Sequence, residues 1–118
     1  MCLWFKYKFN EGADKDKLYA IWNKMIEYYR KDAKEFGSVM MNFAWAYTDD
    51  GWEAWETFPN AEAFEKHCAN TMNCPLIGDV FASQSMFTEV AHKIQGPESE
   101  INKAPSMKEY YPNHKFTF

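Results

Sequence analysis

The stretch FPNAEAFEKHCAN, residues 58–70, contains the histidine whose position most strongly suggests chemistry. A helix that begins after Asn60 carries His67 one turn beyond Phe64, so both side chains project toward the sheet. A histidine that faces a partly apolar cavity has its charged form disfavoured by desolvation, and it can then accept a proton near pH 7. The residues leave two interpretations open: an acid–base group, or a boundary histidine that hydrogen-bonds to backbone.

Glu56 is the second candidate for proton transfer. It lies near the end of a predicted strand and shares a face with Trp52, Ala54 and Phe58. A carboxylate among apolar side chains either pairs with a partner or shifts its pKa. Glu56 is therefore a candidate to orient His67 or to act as a base itself, and the alternative is an exposed glutamate on a strand face.

Asn42 is the candidate for binding a substrate oxygen. It is the strongly polar residue on a strand face that otherwise carries Ala44 and Ala46, and these small side chains leave room for a ligand or for helix packing. An amide in such a space can bind a carbonyl or phenolate oxygen. The aromatic residues expected to line the same space, with core packing as the alternative, are Tyr47, Trp22 and Phe64.

Metal and nucleotide chemistry are disfavoured. His67 and Cys68 are adjacent on a helix, so their side chains diverge by about 100° and do not converge on one ion. The chain has no glycine-rich phosphate loop and no dinucleotide fingerprint. Its three cysteines are an odd number at sparse spacing, which is typical of free thiols in the cytoplasm rather than of a disulfide framework.

The periodicity of apolar residues predicts one α+β domain over residues 1–118, in the order β-α-β-β-α-β with a C-terminal tail. This is the ferredoxin-like, split βαβ arrangement. Asp49-Asp50-Gly51 predicts a hairpin in which the glycine supplies a positive φ. The predicted strands are 3–9, 38–48, 52–58, 86–95 and a short one at 115–118; the predicted helices are 15–36, 61–71, 76–83 and 97–103.

The aromatic content indicates either a partner subunit or a ligand cavity, and the pattern of the strands favours a partner subunit. Five Trp, seven Tyr and ten Phe are more aromatic side chains than a small core needs, and the strand after Ser38 is apolar on both faces. Because two helices cover only one face of the sheet, the other face is expected to meet a second subunit. The net charge of −4, without a basic stripe, argues against nucleic acid, and no apolar run is long enough to cross a membrane.

Two stretches, WETFPNAEAFEKHCAN and HKIQGPESEI, together with the element order, resemble the dimeric α+β barrel superfamily near the antibiotic-biosynthesis-monooxygenase-like proteins. The resemblance implies a dimer that pairs sheet to sheet and a cavity in each subunit between helices and sheet. Some relatives oxygenate electron-rich aromatic molecules without a cofactor, others degrade haem, and others cyclise polyketides with a Tyr/His pair. The haem-degrading pattern has a tryptophan where His67 stands and a ligating histidine further along, so haem is disfavoured here.

The function that this resemblance implies is that of a cofactor-free monooxygenase for a small phenol- or quinol-like substrate. In it His67 is the acid–base group, Asn42 or Tyr47 holds a substrate oxygen, and Glu56 orients the histidine. The alternatives are a cyclase or isomerase that uses the same pocket for proton transfer, and a binder of an apolar small molecule without catalysis.

Overall fold

The computed structural model describes residues 1–35 and 40–112. Within these residues, four strands and five helices follow one another in an α+β arrangement. The strands are β1 (Cys2–Phe9), β2 (Asn42–Thr48), β3 (Gly51–Thr57) and β4 (Phe87–Gln95); the helices are α1 (Lys15–Glu35), α2 (Ala61–Met72), α3 (Ile77–Ser83), α4 (Glu98–Ile101) and α5 (Pro105–Tyr110). A 3₁₀ turn, Gln84–Met86, leads into β4.

The sheet has the order β2-β3-β1-β4, and every neighbouring pair is antiparallel. β1 and β2 are therefore parallel to each other with β3 between them, which is the split βαβ connection that the sequence predicted. In this register Leu3 of β1 lies between Glu56 of β3 and Ile94 of β4. The buried core lies on the helix-covered side, around residues such as Leu3, Phe5, Phe58 and Phe64.

Side chains at the helix starts fix where the two principal helices begin. The carboxylate of Asp14 accepts a hydrogen bond from the backbone N–H of Lys17, at 3.0 Å. The amide oxygen of Asn60 accepts from Ala63 N–H at 2.9 Å, so α2 begins after Asn60, as the sequence predicted. Glu100 adds a hydrogen bond from Ala61 N–H at 3.0 Å, which ties α4 to the first turn of α2.

The second strand is shorter than predicted and presents its two faces the other way round. It begins at Asn42, and residues 38 and 39 lie outside the described part of the chain. Its large side chains Phe43 and Trp45 lie under the helices, whereas Asn42, Ala44 and Ala46 are exposed on the open face. Burying aromatic rings removes more apolar area from water than burying alanine does, so the bulky face takes the core side.

The structure corrects one further prediction, adds one helix that the sequence did not predict, and leaves one predicted strand untested. Gly51 does not have a positive φ; it is required because a Cβ there would stand 1.9 Å from the carbonyl oxygen of Tyr7. The helix Pro105–Tyr110 was not predicted, since its six residues give too short a periodic pattern to recognise. The predicted strand at 115–118 lies outside the described residues.

Candidate functional site

A cavity of about 360 Å³ lies between the helix layer and the covered face of the sheet. A volume of this order is typical of small-molecule sites. Aliphatic and aromatic side chains make up most of its wall. The lining residues are Leu3, Phe5, Tyr7, Trp22, Tyr29, Trp45, Ala54, Glu56, Phe64, His67, Cys68, Thr71, Met72, Ile77, Val80, Phe81, Gln84, Glu89, Tyr110 and Tyr111.

Glu56 is the carboxylate at the inner end of this cavity. Strand alternation places it on the same face as Trp52 and Ala54, and its side chain is only 13% exposed. Desolvation raises the pKa of its carboxyl from the ordinary value of 4.5 to about 7. At neutral pH both the acid and the carboxylate are therefore populated, which is the condition for efficient general acid–base catalysis.

His67 lies beside Glu56 on α2 and is buried. Its Nε2 is 3.9 Å from Oε2 of Glu56, too long for a direct hydrogen bond. Burial lowers the pKa of the imidazole from 6.5 to about 4, so the ring is neutral near pH 7. The ring packs between Tyr29 and Phe58, with centroids 5.0 and 5.2 Å away, and Nδ1 is buried without a partner among the described residues.

Burial reverses the ordinary order of proton affinity in this pair. In water, imidazole holds a proton more tightly than a carboxylate does. In the cavity wall the pKa of Glu56, about 7, lies above that of His67, about 4. Desolvation has this effect because it disfavours the carboxylate anion and the imidazolium cation alike. Of the two groups, the carboxyl of Glu56 is the one whose pKa lies close to neutral pH.

Three tyrosines line the cavity as neutral hydrogen-bond donors. Burial, and to a lesser degree the charge of Glu56 and at Tyr7 also that of Glu89, raises the pKa values of Tyr7, Tyr29 and Tyr111 above their usual range. A phenol held neutral can donate a hydrogen bond to a carbonyl oxygen or an enolate of a ligand. Tyr29 is the tyrosine in ring contact with His67, with centroids 5.0 Å apart.

A tryptophan cluster forms part of the apolar wall of the cavity: Trp22 and Trp45 line it, and Trp52 packs behind them in the core. Trp45 stacks on Trp22 with centroids 5.2 Å apart and on Trp52 at 5.6 Å. The indole N–H groups of all three are buried, and none has a hydrogen-bond partner in the described chain. The cluster is suited to contact with flat, apolar ligands rather than to fixing a polar group at one point.

The structure brings together four of the six predicted site residues. Glu56, His67, Trp22 and Phe64 all line the cavity.

Asn42 and Tyr47 do not line it, and their predicted placement was wrong. Asn42 lies on the exposed face of the sheet because alternation along β2 turns it away from the helices. Tyr47 does lie on the helix side, but at the edge of the sheet, where it is 40% exposed. Its hydroxyl donates to Oδ1 of Asn23 at 2.7 Å, which holds it outside the cavity.

Glu89 is a cavity residue that the sequence pattern assigned to the wrong face. Strict alternation along β4 pairs Val90 with the core and directs Glu89 outward. The register instead shifts between Lys6 and Tyr7 of β1, so that Tyr7 pairs with Glu89 and Val90 is left 47% exposed. This bulge turns Glu89 toward the helices. Tyr7 and Tyr29 were missed because tyrosine in an apolar stripe resembles core.

The described residues hold no cluster of three or more histidine, cysteine or acidic side chains arranged to bind a metal ion. Cys2, Cys68 and Cys74 are free thiols. Burial raises the pKa of Cys68 to about 12, so this cavity-lining thiol is a poor nucleophile. None of the described helices has the length and hydrophobicity needed to cross a membrane.

Comparison with solved structures identifies a similar fold. The chain is similar to MupZ from Pseudomonas fluorescens, with a TM-score of 0.69 and 17% sequence identity over 99% of this chain and 84% of MupZ. No protein-family model matches the chain, and no curated protein matches it. At 17% identity the likeness to MupZ supports the ferredoxin-like α+β fold.

Proposed function

We propose that this protein is a general acid–base catalyst that isomerises or cyclises a small, largely apolar substrate in the cavity between helices and sheet. The observation that carries the proposal is the carboxyl of Glu56, which lies in an aromatic-lined cavity with its pKa raised to about 7. Structural carboxylates are usually ion-paired or solvated, whereas a desolvated carboxyl that titrates near neutral pH is suited to proton transfer.

Each neighbour of Glu56 has a role in this proposal. The ionised carboxylate removes a proton from an activated carbon or a hydroxyl, and the resulting acid returns the proton at another atom. His67 is neutral at this pH and therefore forms no ion pair with the carboxylate of Glu56. Such an ion pair would lower the pKa of Glu56 and make the carboxylate a weaker base. Tyr29, whose raised pKa keeps it protonated, supplies a donor for developing negative charge on a substrate oxygen.

A cofactor-free monooxygenase, the function favoured by the sequence, begins with the same deprotonation. The stacked indoles of Trp22 and Trp45, which both line the cavity, support this second candidate, since they match a flat, electron-rich ring such as a phenol or quinol. Both candidates use the base at Glu56. They differ in the fate of the deprotonated substrate, because only the monooxygenase consumes dioxygen.

The proposal is tested with 5-nitrobenzisoxazole, an uncharged aromatic probe that ring-opens to a cyanophenolate when a base removes its ring C–H proton. We expect saturable catalysis whose kcat/KM rises with pH through an apparent pKa of about 7 and then levels off, as Glu56 ionises. Absorbance of the phenolate product gives the rate. A rate no higher than that of a free carboxylate in solution would refute catalysis and favour a protein that binds its ligand without reacting. Oxygen uptake with a hydroquinone would favour the monooxygenase.

We further propose that the protein acts as a homodimer paired through the open face of the sheet. That face carries Trp4 and Trp55, directly paired across β1 and β3, and the exposed side chains of Ala44 and Val90. Phe43 of β2 packs against Tyr29 on the helix side, so a substitution there would not test this interface.

Sedimentation equilibrium at micromolar concentration is expected to give twice the mass of the chain. Trp55→Glu should convert it to a monomer, because a buried, unpaired charge costs several kcal/mol. Lys24→Glu, which changes an exposed residue of α1, is the matched control and should leave the dimer intact. A monomeric wild-type mass at these concentrations would refute the dimer.

A further inference from the structure

The bulge in β4 builds a second polar group into the cavity. Because the register shifts opposite Tyr7, Glu89 and not Val90 becomes its partner on β1. Bulges next to functional sites are a common means of redirecting one side chain while the strand continues. Here the result is a carboxylate that lines the cavity about one-third exposed, at its mouth, with Glu56 at the inner end.

Glu89 has one hydrogen-bonded neighbour and one neighbour across the strand pair. Its Oε1 makes a short hydrogen bond with Nδ1 of His92, three residues further along β4. Tyr7 stands opposite Glu89 on β1, and burial together with the Glu89 carboxylate raises the pKa of its phenol. The Tyr7 ring is itself fixed by stacking on Trp52, with centroids 5.0 Å apart, and by an edge contact with Phe87. Tyr7 and Glu89 therefore present acceptor oxygens in a preorganised position.

The two ends of the cavity are separated by a distance that a single small group does not span. Glu56 pairs with Leu3, and Glu89 pairs with Tyr7, four residues along β1 and on its opposite side. Strand geometry places the two backbones about 16 Å apart. None of the described lining residues is a lysine or an arginine, so neither end offers such a cation to a carboxylate or phosphate.

We propose that Tyr7 and Glu89 form a second binding pole, which selects elongated ligands that carry a hydroxyl or a protonated amine at the end opposite the group that reacts at Glu56. The tyrosine and the carboxylate accept hydrogen bonds from this distal donor, and the aromatic wall between the poles contacts the apolar body of the ligand. This inference rests on the proposed function of Glu56 only for the identity of the reacting end.

The test uses three probes of matched shape: 2-naphthylmethylamine, 2-naphthylmethanol and 2-naphthoate, with affinities from isothermal titration calorimetry. We expect the amine and the alcohol to bind and the acid to bind at least ~10-fold more weakly, since it meets the Glu89 carboxylate in a cavity whose described lining contains no lysine or arginine. Glu89→Gln should weaken binding of the amine by about tenfold, because one charge-assisted hydrogen bond is lost. Tyr7→Phe should weaken both the amine and the alcohol.

Two control variants locate the effect. Glu53→Gln changes a carboxylate on the open face, where it binds Trp4 and Lys6, and should leave all three affinities unchanged. Glu56→Gln should not alter the preference for the amine over the acid. The second pole would be refuted if the amine and the acid bound equally, or if no probe bound at all. It would also be refuted if the affinity for the amine were unchanged in both Glu89→Gln and Tyr7→Phe, or if Glu56→Gln abolished the preference for the amine. Because binding is measured without turnover, the result is separate from that of the catalytic test.

Discussion

Replacing Glu56 by glutamine is expected to lower kcat/KM for the ring opening of 5-nitrobenzisoxazole by ~10²–10⁴-fold at pH 8, the usual contribution of a positioned general base. Glutamine keeps the shape and hydrogen-bonding capacity of the side chain but cannot accept a proton at this pH. The rise in rate with an apparent pKa of about 7 should disappear in the variant, because the group that produces it is gone. Stopped-flow absorbance over a range of pH measures both effects.

Two further variants decide whether Glu56 or His67 is the base. Glu53→Gln removes a carboxylate from the same strand but from the opposite face of the sheet, and should keep the wild-type rate. The sequence pointed to His67 as the base. If it were, His67→Gln would lower kcat/KM by ~10²–10⁴-fold. The structure predicts the other ranking, with the larger loss at Glu56, since the pKa of His67 is about 4 and its Nδ1 is enclosed. An equal or larger loss in His67→Gln would refute the assignment.

The two buried groups are also expected to affect stability in opposite directions as pH changes. The pKa of Glu56 is higher in the folded protein, about 7 against 4.5, so its contribution is present at low pH and is lost as pH rises through this window. The pKa of His67 is lower in the folded protein, about 4 against 6.5, so its contribution is present at high pH and is lost as pH falls. Each shift corresponds to roughly 3 kcal/mol.

In the wild type these contributions should largely cancel between about pH 4.5 and 6.5, because folding moves one proton from the histidine to the glutamate without net uptake. His67→Gln leaves the Glu56 contribution, so the free energy of unfolding should fall by up to ~3 kcal/mol as pH rises from 4.5 to 7. Glu56→Gln leaves the contribution of His67, so the free energy of unfolding should rise by a similar amount as pH rises from 4 to 6.5.

Urea denaturation at several pH values provides these free energies of unfolding. The double variant, with glutamine at both positions, is the control and should have a pH dependence close to that of the wild type. Two single variants whose stability changes with pH in the same direction would show that desolvation does not dominate at one of the two sites. The size of the slopes also gives the number of protons that differ between folded and unfolded chains.

The order of elements, the start of α2 after Asn60 and the projection of His67 toward the sheet followed from the sequence alone. The last two depend on residues near one another along the chain: Asn60 reaches Ala63 N–H, and one helical turn separates Phe64 from His67. Alternation along β3 likewise assigned Glu56 to the face of Trp52, which is the helix-covered face. Local patterns are informative here because backbone geometry fixes their period.

Tertiary structure decided which groups meet in the cavity and which of them titrates. Alternation along β2 defined two faces, but only packing under the helices determined that Phe43 and Trp45 are inside and Asn42 is outside. The bulge that turns Glu89 inward depends on the pairing of β4 with β1, strands that are far apart in the chain. The inverted proton affinities of Glu56 and His67 depend on desolvation by residues from β1, α1 and α2, and burial of this kind exists only once distant segments have packed together.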